Sequence, residues 1–515
     1  MASTTTDHLF RLIKSMTKAE KRSFKLYVNR SGGAGDDALF VQLFDVLDKQ
    51  PAYDEEGIFQ KVPDLKRSQL SNIKRHLYRQ ILSSLRLLHI SKNGDIEIRE
   101  EIDFARILYN KGHFQQSLKV LDRIKGIARD SNQDLLHLEI VDFEKMIESR
   151  HISDSIENRI DELAAESEHC HQVVANITRL SNLALKMFGF YVKTGHVKNE
   201  SEAHYVTEYF KSNLPNLHYD QLSFYEKVYH CQSYVWYYYI LQNFPLHFRY
   251  TQRWVDLFED KPDMKSSDPE LYLRGMNSLL TALFYMGRHD RYLQVLKQME
   301  VFIARMADDF DTNLEIQAFT FLYTAKINKH YLEGTFSEGL YLVPELVEKL
   351  ERYDEFLDPH RKLIFYYKIA CLYFGSGDNG KAVDYLNDII NYKAGSLFSD
   401  IQCYARILYL IAHFELGNYS LLEYLVKSVY RFLAKMEDLN QVQREILTFL
   451  RREIRTSPRE LRRAFIQLKA RLEKLQDQPN ERRSFLYLDI ISWLEAKIEG
   501  KTVAAVIREH FLEKH

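Results

Sequence analysis

Glycine and proline are scarce in this chain, 19 and 10 among 515 residues, against average usages of roughly 7% and 5%. That excludes a collagenous or low-complexity chain, and it disfavours a fold of many short strands joined by tight turns. Cysteine is scarcer still, at four. Cys170, Cys231, Cys371 and Cys403 stand far apart, which excludes a disulfide scaffold and suits reduced, buried thiols. No apolar stretch approaches the roughly 18 uncharged residues of a membrane-spanning helix. The opening residues, MASTTTDHLFRLIKSMTKAEKRSF, lack the apolar centre of a secretory signal, because Arg11, Lys14 and Lys18 interrupt each run. A cytoplasmic protein with no membrane attachment is the expectation. A large net charge is missing too: 70 Lys+Arg face 72 Asp+Glu, and 13% of residues are aromatic. Disordered chains show the opposite composition.

What is there is helical periodicity. Within KRSQLSNIKRHLYRQILSSLRLLHI, residues 66–90, the side chains Leu70, Ile73, Leu77, Ile81, Leu85 and Leu88 recur at three- and four-residue steps. They form one stripe of an amphipathic helix, with Arg67, Lys74, Arg75, Arg79 and Arg86 broadly opposite. Four helices are expected near 5–15, 18–29, 37–50 and 66–90, with a short one near 55–61. Start signals agree. Thr17 and Glu20 have capping-box spacing, Ser457-Pro458-Arg459-Glu460 has the same spacing with proline at the first helical position, and Ser267-Asp268-Pro269-Glu270 is similar. Gly32-Gly33-Ala34-Gly35 is expected to be a mobile loop.

Five segments align without gaps across a helix–turn–helix. Gly112, Gly287, Gly334, Gly377 and Gly417 occupy the turn; two residues on stand Phe114, His289, Phe336, Asn379 and Tyr419. Three further on come Ser117, Tyr292, Gly339, Ala382 and Leu422, and then an apolar residue such as Leu121, Leu386 or Val426. A glycine ends the first helix with a positive φ, an aromatic plugs the mouth of the hairpin, and a small residue lets the two helices approach. This pattern resembles the second half of a tetratricopeptide repeat (TPR), best at 363–392. His289, Tyr292 and Leu422 depart from the family's aromatic or small residue, and Tyr292 is expected to widen its hairpin. From Gly287 on, successive turn glycines lie 47, 43 and 40 residues apart, and Gly112 stands 175 before Gly287, close to four such periods, each longer than the 34 typical of that family. Extrapolating the period puts further turns near 153, 195, 243, 457 and 500, at HISDS, KTGHV, LQNFP, TSP and EGK. The resemblance therefore implies an all-α, right-handed α-solenoid of about ten helical hairpins over residues 94–515, with residues 1–93 as a basic helical N-terminal region or cap. The C-terminal part also resembles bacterial TPR-like proteins of this length, a likeness that implies no function.

Charge is unevenly placed. Residues 1–93 carry 16 Lys/Arg against 10 Asp/Glu, and residues 444–483 carry 12 against 6, which leaves the middle acidic. An acidic middle favours a basic partner segment.

Catalytic and metal signatures are weak. Gly500-Lys501-Thr502 echoes a phosphate-binding loop, but Glu495 stands where the motif needs glycine, and a helix is expected before it. His169-Cys170-His171 places neighbouring side chains about 100° apart on a helix, too far round to share one ion. YVWYYYILQNF at 234–244 reads as a helix surrounded by neighbours, with a stacking platform as the alternative. No catalytic residue, cofactor or metal site is expected.

In a tetratricopeptide array, the residue three before each turn glycine can face the inner groove. Here these are Tyr109, Phe284, Tyr331, Phe374 and Phe414, all aromatic. Neighbouring groove positions are Asn277, Thr281, Thr324, Asn328 and Tyr367. The expected function is a non-catalytic interaction scaffold that binds a peptide or protein segment there, with packing against the next repeat as the competing role for the aromatics. The alternative is a nucleic-acid-associated regulator. A basic head before sensing repeats resembles, in layout, bacterial regulators of that kind. Lys61-Val62-Pro63-Asp64-Leu65 would be the turn of its DNA-binding motif, and Arg67, Lys74, Arg75 and Arg79 its phosphate contacts.

Overall fold

The computed structural model describes residues 8–30, 36–89, 94–151, 156–392, 399–436, 439–453, 458–476, 478, 481, 484–485 and 489–514. Among these the protein is all-α: helices follow one another, pack in consecutive pairs, and include no strand. The chain divides into two compact units, Met1–Gln172 and Val173–His515.

In the first unit, helices His8–Ser15, Lys18–Arg30, Asp36–Lys49, Glu55–Lys61 and Arg67–His89 stand where the periodicity placed them. Leu70, Ile73, Leu77 and Ile81 are buried in one apolar cluster with Phe24, Phe44 and Leu47. The capping box at the start of the second helix is reciprocal: Thr17 N–H donates to Glu20 (2.7 Å), and Glu20 N–H donates to the Thr17 hydroxyl (3.2 Å). The glycine run at 32–35 and Ser457 lie outside the described residues.

The next helices, Gly94–Asn110, Phe114–Asp130 and Asp134–Glu148, hold a buried ionic network. The Glu144 carboxylate is fully buried and accepts from Lys125 Nζ (2.8 Å) and Arg159 (3.1 Å). Lys125 also meets Glu166 at 3.1 Å, and Glu166 meets His137 at 2.8 Å. Burial pushes the Glu144 carboxyl upward, opposed by those cations.

Turns stand where the spacing put them near 195, 243 and 500, and a further left-handed turn lies at Asn132 (φ 55°), off that spacing. Gly112, Gly195, Gly287, Gly334, Gly377, Gly417 and Gly500 all have positive φ, and at the LQNFP turn Gln242 takes φ 56° instead. The turns expected near 153 and 457 fall at residues 152–155 and 454–457, outside the described set. Hairpins Phe224–Ile240/Phe244–Asp260, Pro269–Tyr285/His289–Met306, Pro359–Ser376/Asn379–Asn391 and Ser399–Glu415/Tyr419–Lys435 follow in register. Each second helix begins at or near the residue two after the turn, as aligned.

Three features depart from a uniform repeat. Ile156–Thr194 is a single helix of 39 residues, where the period called for the end of one hairpin and the start of the next. It contains no proline and only Gly189 as a weak breaker, so nothing stops it. The second helix after Gly334 is broken into Phe336–Gly339, a 3-10 turn Leu340–Leu342 and Val343–Arg352. Pro344 cannot donate to the carbonyl four residues back, which accounts for the break. Tyr292, at a position expected to be small, is fully buried, and its hydroxyl donates to the Ala325 carbonyl of the following helix at 2.7 Å.

The C-terminal hairpin, Ile490–Glu499 and Val503–Lys514, does not contact its chain neighbours alone. Val503–Lys514 packs against Thr312–Glu333 and Pro359–Ser376. Arg508 donates to the Glu333 carbonyl (3.2 Å), and the His289 and Phe511 rings lie 4.6 Å apart. Gly334 makes this approach feasible. A Cβ there would lie 2.6 Å from the Arg508 backbone nitrogen and 2.9 Å from the Ala504 carbonyl oxygen.

Two stability predictions follow from this geometry. Gly377 has φ +92° but open space around it, so Gly377→Ala should cost about 1–2 kcal/mol of left-handed strain alone. Gly334→Ala adds a backbone clash to the same strain and should cost about 2–4 kcal/mol. It should also expose residues 503–514 to protease, as read by urea unfolding and limited proteolysis side by side. In the first unit, Glu144→Ala removes one carboxylate from Lys125 and Arg159, which keep Glu166 and Glu148 as partners, and should lower stability by about 1–3 kcal/mol, seen as a shifted urea midpoint.

Candidate functional site

Within the second unit, a cavity of about 500 Å³ opens among the first helices of successive hairpins. Three helices supply most of its wall, and each supplies it at helical spacing. Pro269–Tyr285 contributes Thr281, Phe284 and Tyr285; Thr312–Glu333 contributes Thr324, Asn328, Tyr331 and Leu332. Pro359–Ser376 contributes Ile364, Tyr367, Lys368, Cys371, Phe374 and Gly375. Tyr191 and Tyr239 line the cavity too, and Phe485, Asp489, Val503 and Ile507 do so from the C-terminal part.

Phe336, the plug residue of its hairpin, is buried and stacks on Tyr331 at 5.8 Å. It fits because position 375 is glycine: a Cβ there would come within 2.2 Å of its ring. Tyr331 in turn donates its hydroxyl to the Lys368 carbonyl at 2.5 Å. Rings and backbone thus hold the two helices in one register.

Lys368 is the unusual group. Its Nζ donates to Asn328 Oδ1 (2.6 Å) and lies 5.5 Å from the centre of the Tyr331 ring. Among the described residues, no carboxylate forms an ion pair with it. Burial therefore pushes its ammonium down from 10.5 to about 8. Neighbouring groups stay neutral. Burial raises the Cys371 thiol to about 12, and it raises the Tyr331, Tyr367, Tyr239 and Tyr285 hydroxyls well above their ordinary value. His360, also lining the cavity, is pushed downward by burial and is neutral near pH 7. The other charged lining residues are Lys193 and Asp489, both exposed.

Of the groove residues named from sequence, Phe284, Asn328, Tyr331, Tyr367 and Phe374 come together at this cavity, with Thr281 and Thr324 beside them. Three do not. Phe414 is buried among Phe449, Phe465 and Trp493 of later helices, which is the packing role. Tyr109 lies in the first unit, edge-on to Phe143 (6.0 Å) and His151 (5.8 Å). Asn277 is half-buried, and its carbonyl accepts from the Thr281 hydroxyl at 2.9 Å. Lys368 and Cys371 also line the cavity, on the helical stripe that Tyr367 and Phe374 define, although neither stands at a repeat-marked groove position. No local signal marked Val503 or Ile507.

The four basic side chains named as phosphate contacts lie in the first unit. Arg67 pairs with Glu56 at 2.6 Å, and Lys74 is half-buried against Tyr53, with Glu55 at 3.6 Å. Arg75 and Arg79 are exposed and one turn apart. His169 and His171 are exposed while Cys170 is buried between them, and no three potential metal ligands converge among the described residues. Lys501 pairs with Glu499 and Glu509, and the Thr502 hydroxyl caps the last helix. In the tyrosine-rich stretch, Tyr234 stacks on Tyr250 (4.2 Å), Tyr237 on Phe210 (4.1 Å), and Trp236 meets Phe188 (5.0 Å). No helix among the described residues is long and apolar enough to cross a membrane.

No protein-family model matches the chain, and no curated protein sequence matches it.

The buried ammonium sets a pH-dependent stability. The unfolded lysine titrates near 10.5 and the folded one near 8. Between those values the unfolded chain holds the extra proton, so stability rises with pH; below about 8 the full cost of the buried cation is present. Lys368→Met should raise Tm at pH 7 by about 1–3 °C. Its advantage over wild type should shrink from pH 8 toward 10.5, checked by paired thermal melts.

Proposed function

We propose that this protein is a non-catalytic, cytoplasmic interaction scaffold. Its repeats form a TPR-like right-handed α-solenoid of about ten hairpins behind a helical head at residues 1–93. A segment of a partner protein lies along the concave face, with side chains anchored at the cavity. The observation that supports this most is the convergence of Phe284, Tyr331 and Phe374, each three residues before a turn glycine, on one cavity. Aromatic anchors in a concave, partly apolar site are the usual source of peptide affinity. The basic side chains expected of the partner would lie outside the cavity, whose charged lining residues are Lys193, Lys368 and Asp489.

A second reading, nucleic-acid binding by the head, is supported by Arg75 and Arg79 alone, since Arg67 and Lys74 are engaged with the protein's own side chains.

Selection from a displayed random-peptide library, paired with a DNA and RNA binding titration, tests both readings. Peptides selected on wild type should bind Phe284→Ala/Phe374→Ala at least about tenfold more weakly, the loss expected of anchor residues. Tyr424→Ala, on an exposed side chain elsewhere, should leave affinity unchanged. Peptide affinity indifferent to the cavity pair would overturn the scaffold reading. Steeply salt-dependent DNA or RNA binding, lost in Arg75→Glu/Arg79→Glu, would establish the second.

A further inference from the structure

We propose that the cavity is a carboxylate-binding site, in which Lys368 and Asn328 hold the anion while the surrounding rings hold an apolar or aromatic body. It goes beyond the scaffold reading, since a free acid could occupy the site with no protein partner bound.

Lys368 is a half-buried ammonium with no carboxylate ion-pair partner among the described residues. A buried ammonium is costly to keep unless it is paired and hydrogen-bonded. In the first unit of this same chain, the half-buried cations Lys125 and Arg159 follow that rule, with the buried Glu144 carboxylate between them. Lys368 does not: its hydrogen-bond partner is the neutral Asn328 amide. The nearby thiol and phenols remain protonated, so none supplies a negative charge. Asp489, the cavity's carboxylate, is committed to capping helix Ile490–Glu499, where it accepts from the Ser492 N–H (3.0 Å) and hydroxyl (2.7 Å). Lys368 is held in place by its neighbours, through the Tyr331 hydroxyl on its carbonyl and Asn328 on its Nζ. An ammonium without a carboxylate ion-pair partner, held in place at the wall of an open cavity, is suited to bind an anion.

The cavity also selects among anions. No arginine lines it, so a dianionic phosphate would remain half neutralised in a low-dielectric site. A single carboxylate matches a single ammonium. The volume of about 500 Å³ lies in the range of small-molecule sites. Tyr331, Tyr367, Phe284 and Phe374 give the ligand's body aromatic faces, with Ile364 and Ile507 supplying aliphatic contact. Two sources share this chemistry: a free aromatic or aryl-alkyl acid, and the C-terminal carboxylate of a peptide that ends in an apolar residue.

Calorimetric titration of the full chain separates them. The probes are 4-phenylbutyrate, its neutral analogue 4-phenylbutanol, and a hexapeptide ending in Phe as either free acid or amide. At least one acid should bind at least about tenfold more tightly than its neutral counterpart, and Lys368→Met should abolish that difference. Lys368→Met is expected to fold, because it removes a buried cation; circular dichroism checks this, and the acid-against-neutral comparison on wild type needs no variant. Binding of phenylbutyrate supports a small-acid site, and binding of the peptide acid alone supports recognition of a partner's C-terminus. Equal binding of acid and neutral probes, or no binding by either acid at millimolar concentration, overturns the carboxylate proposal. Equal binding of peptide acid and amide, with phenylbutyrate no tighter than phenylbutanol, would do so while leaving the scaffold reading standing.

Discussion

The second unit depends on one close approach, that of the last helix to the turn at Gly334. The turn residue has φ +69°, and its missing side chain leaves room for the Arg508 backbone, so Val503–Lys514 can lie against Thr312–Glu333. The C-terminal side of the cavity inherits this contact. Val503 and Ile507 become part of its wall, and His289 gains Phe511 as a neighbour besides its 2.8 Å bond to Glu333. In a stack where each repeat touches only those adjacent to it, stability spreads along the chain one interface at a time. Here the last hairpin also ties back to earlier ones, and the ends of several first helices enclose a shared space.

Charge is handled in two ways within one chain. The Glu144 network places opposite charges together out of water and satisfies them with several hydrogen bonds, which is the condition under which buried ions are tolerated. Lys368 faces its cavity with an amide oxygen and aromatic faces in place of a carboxylate. A ring face attracts a cation, but a desolvated cation–π contact is worth about 2 kcal/mol, less than a well-formed buried ion pair. The difference separates a structural network from a site that a ligand can complete.

The repeat spacing was legible because the left-handed turn is a local requirement. Where a helix must end and reverse, a positive φ favours glycine, so Gly112, Gly195, Gly287, Gly334, Gly377, Gly417 and Gly500 mark their turns by residue type. Gln242 shows the limit of that signal, since it adopts the same backbone without it. The aromatic residue three before Gly112, Gly287, Gly334, Gly377 and Gly417 was equally plain, yet its role differed from turn to turn. Phe374 faces the cavity while Phe414, at the same register, is packed by Phe449, Phe465 and Trp493. Register states which stripe of a helix a residue belongs to; what covers the stripe depends on which other helices reach it.

The sequence by itself determined the all-helical class, the hairpin period, the caps of several helices and the aromatic column, because each follows from interactions within a few residues along the chain. Tertiary structure alone decided that Val503–Lys514 packs beside Gly334 and that Lys368 meets Asn328 with no carboxylate among the described residues as an ion-pair partner. It also decided that Tyr292 reaches the Ala325 carbonyl instead of merely spreading its own hairpin. Those contacts join residues far apart in the chain, and their energies depend on burial and on the partner present, neither of which local spacing encodes.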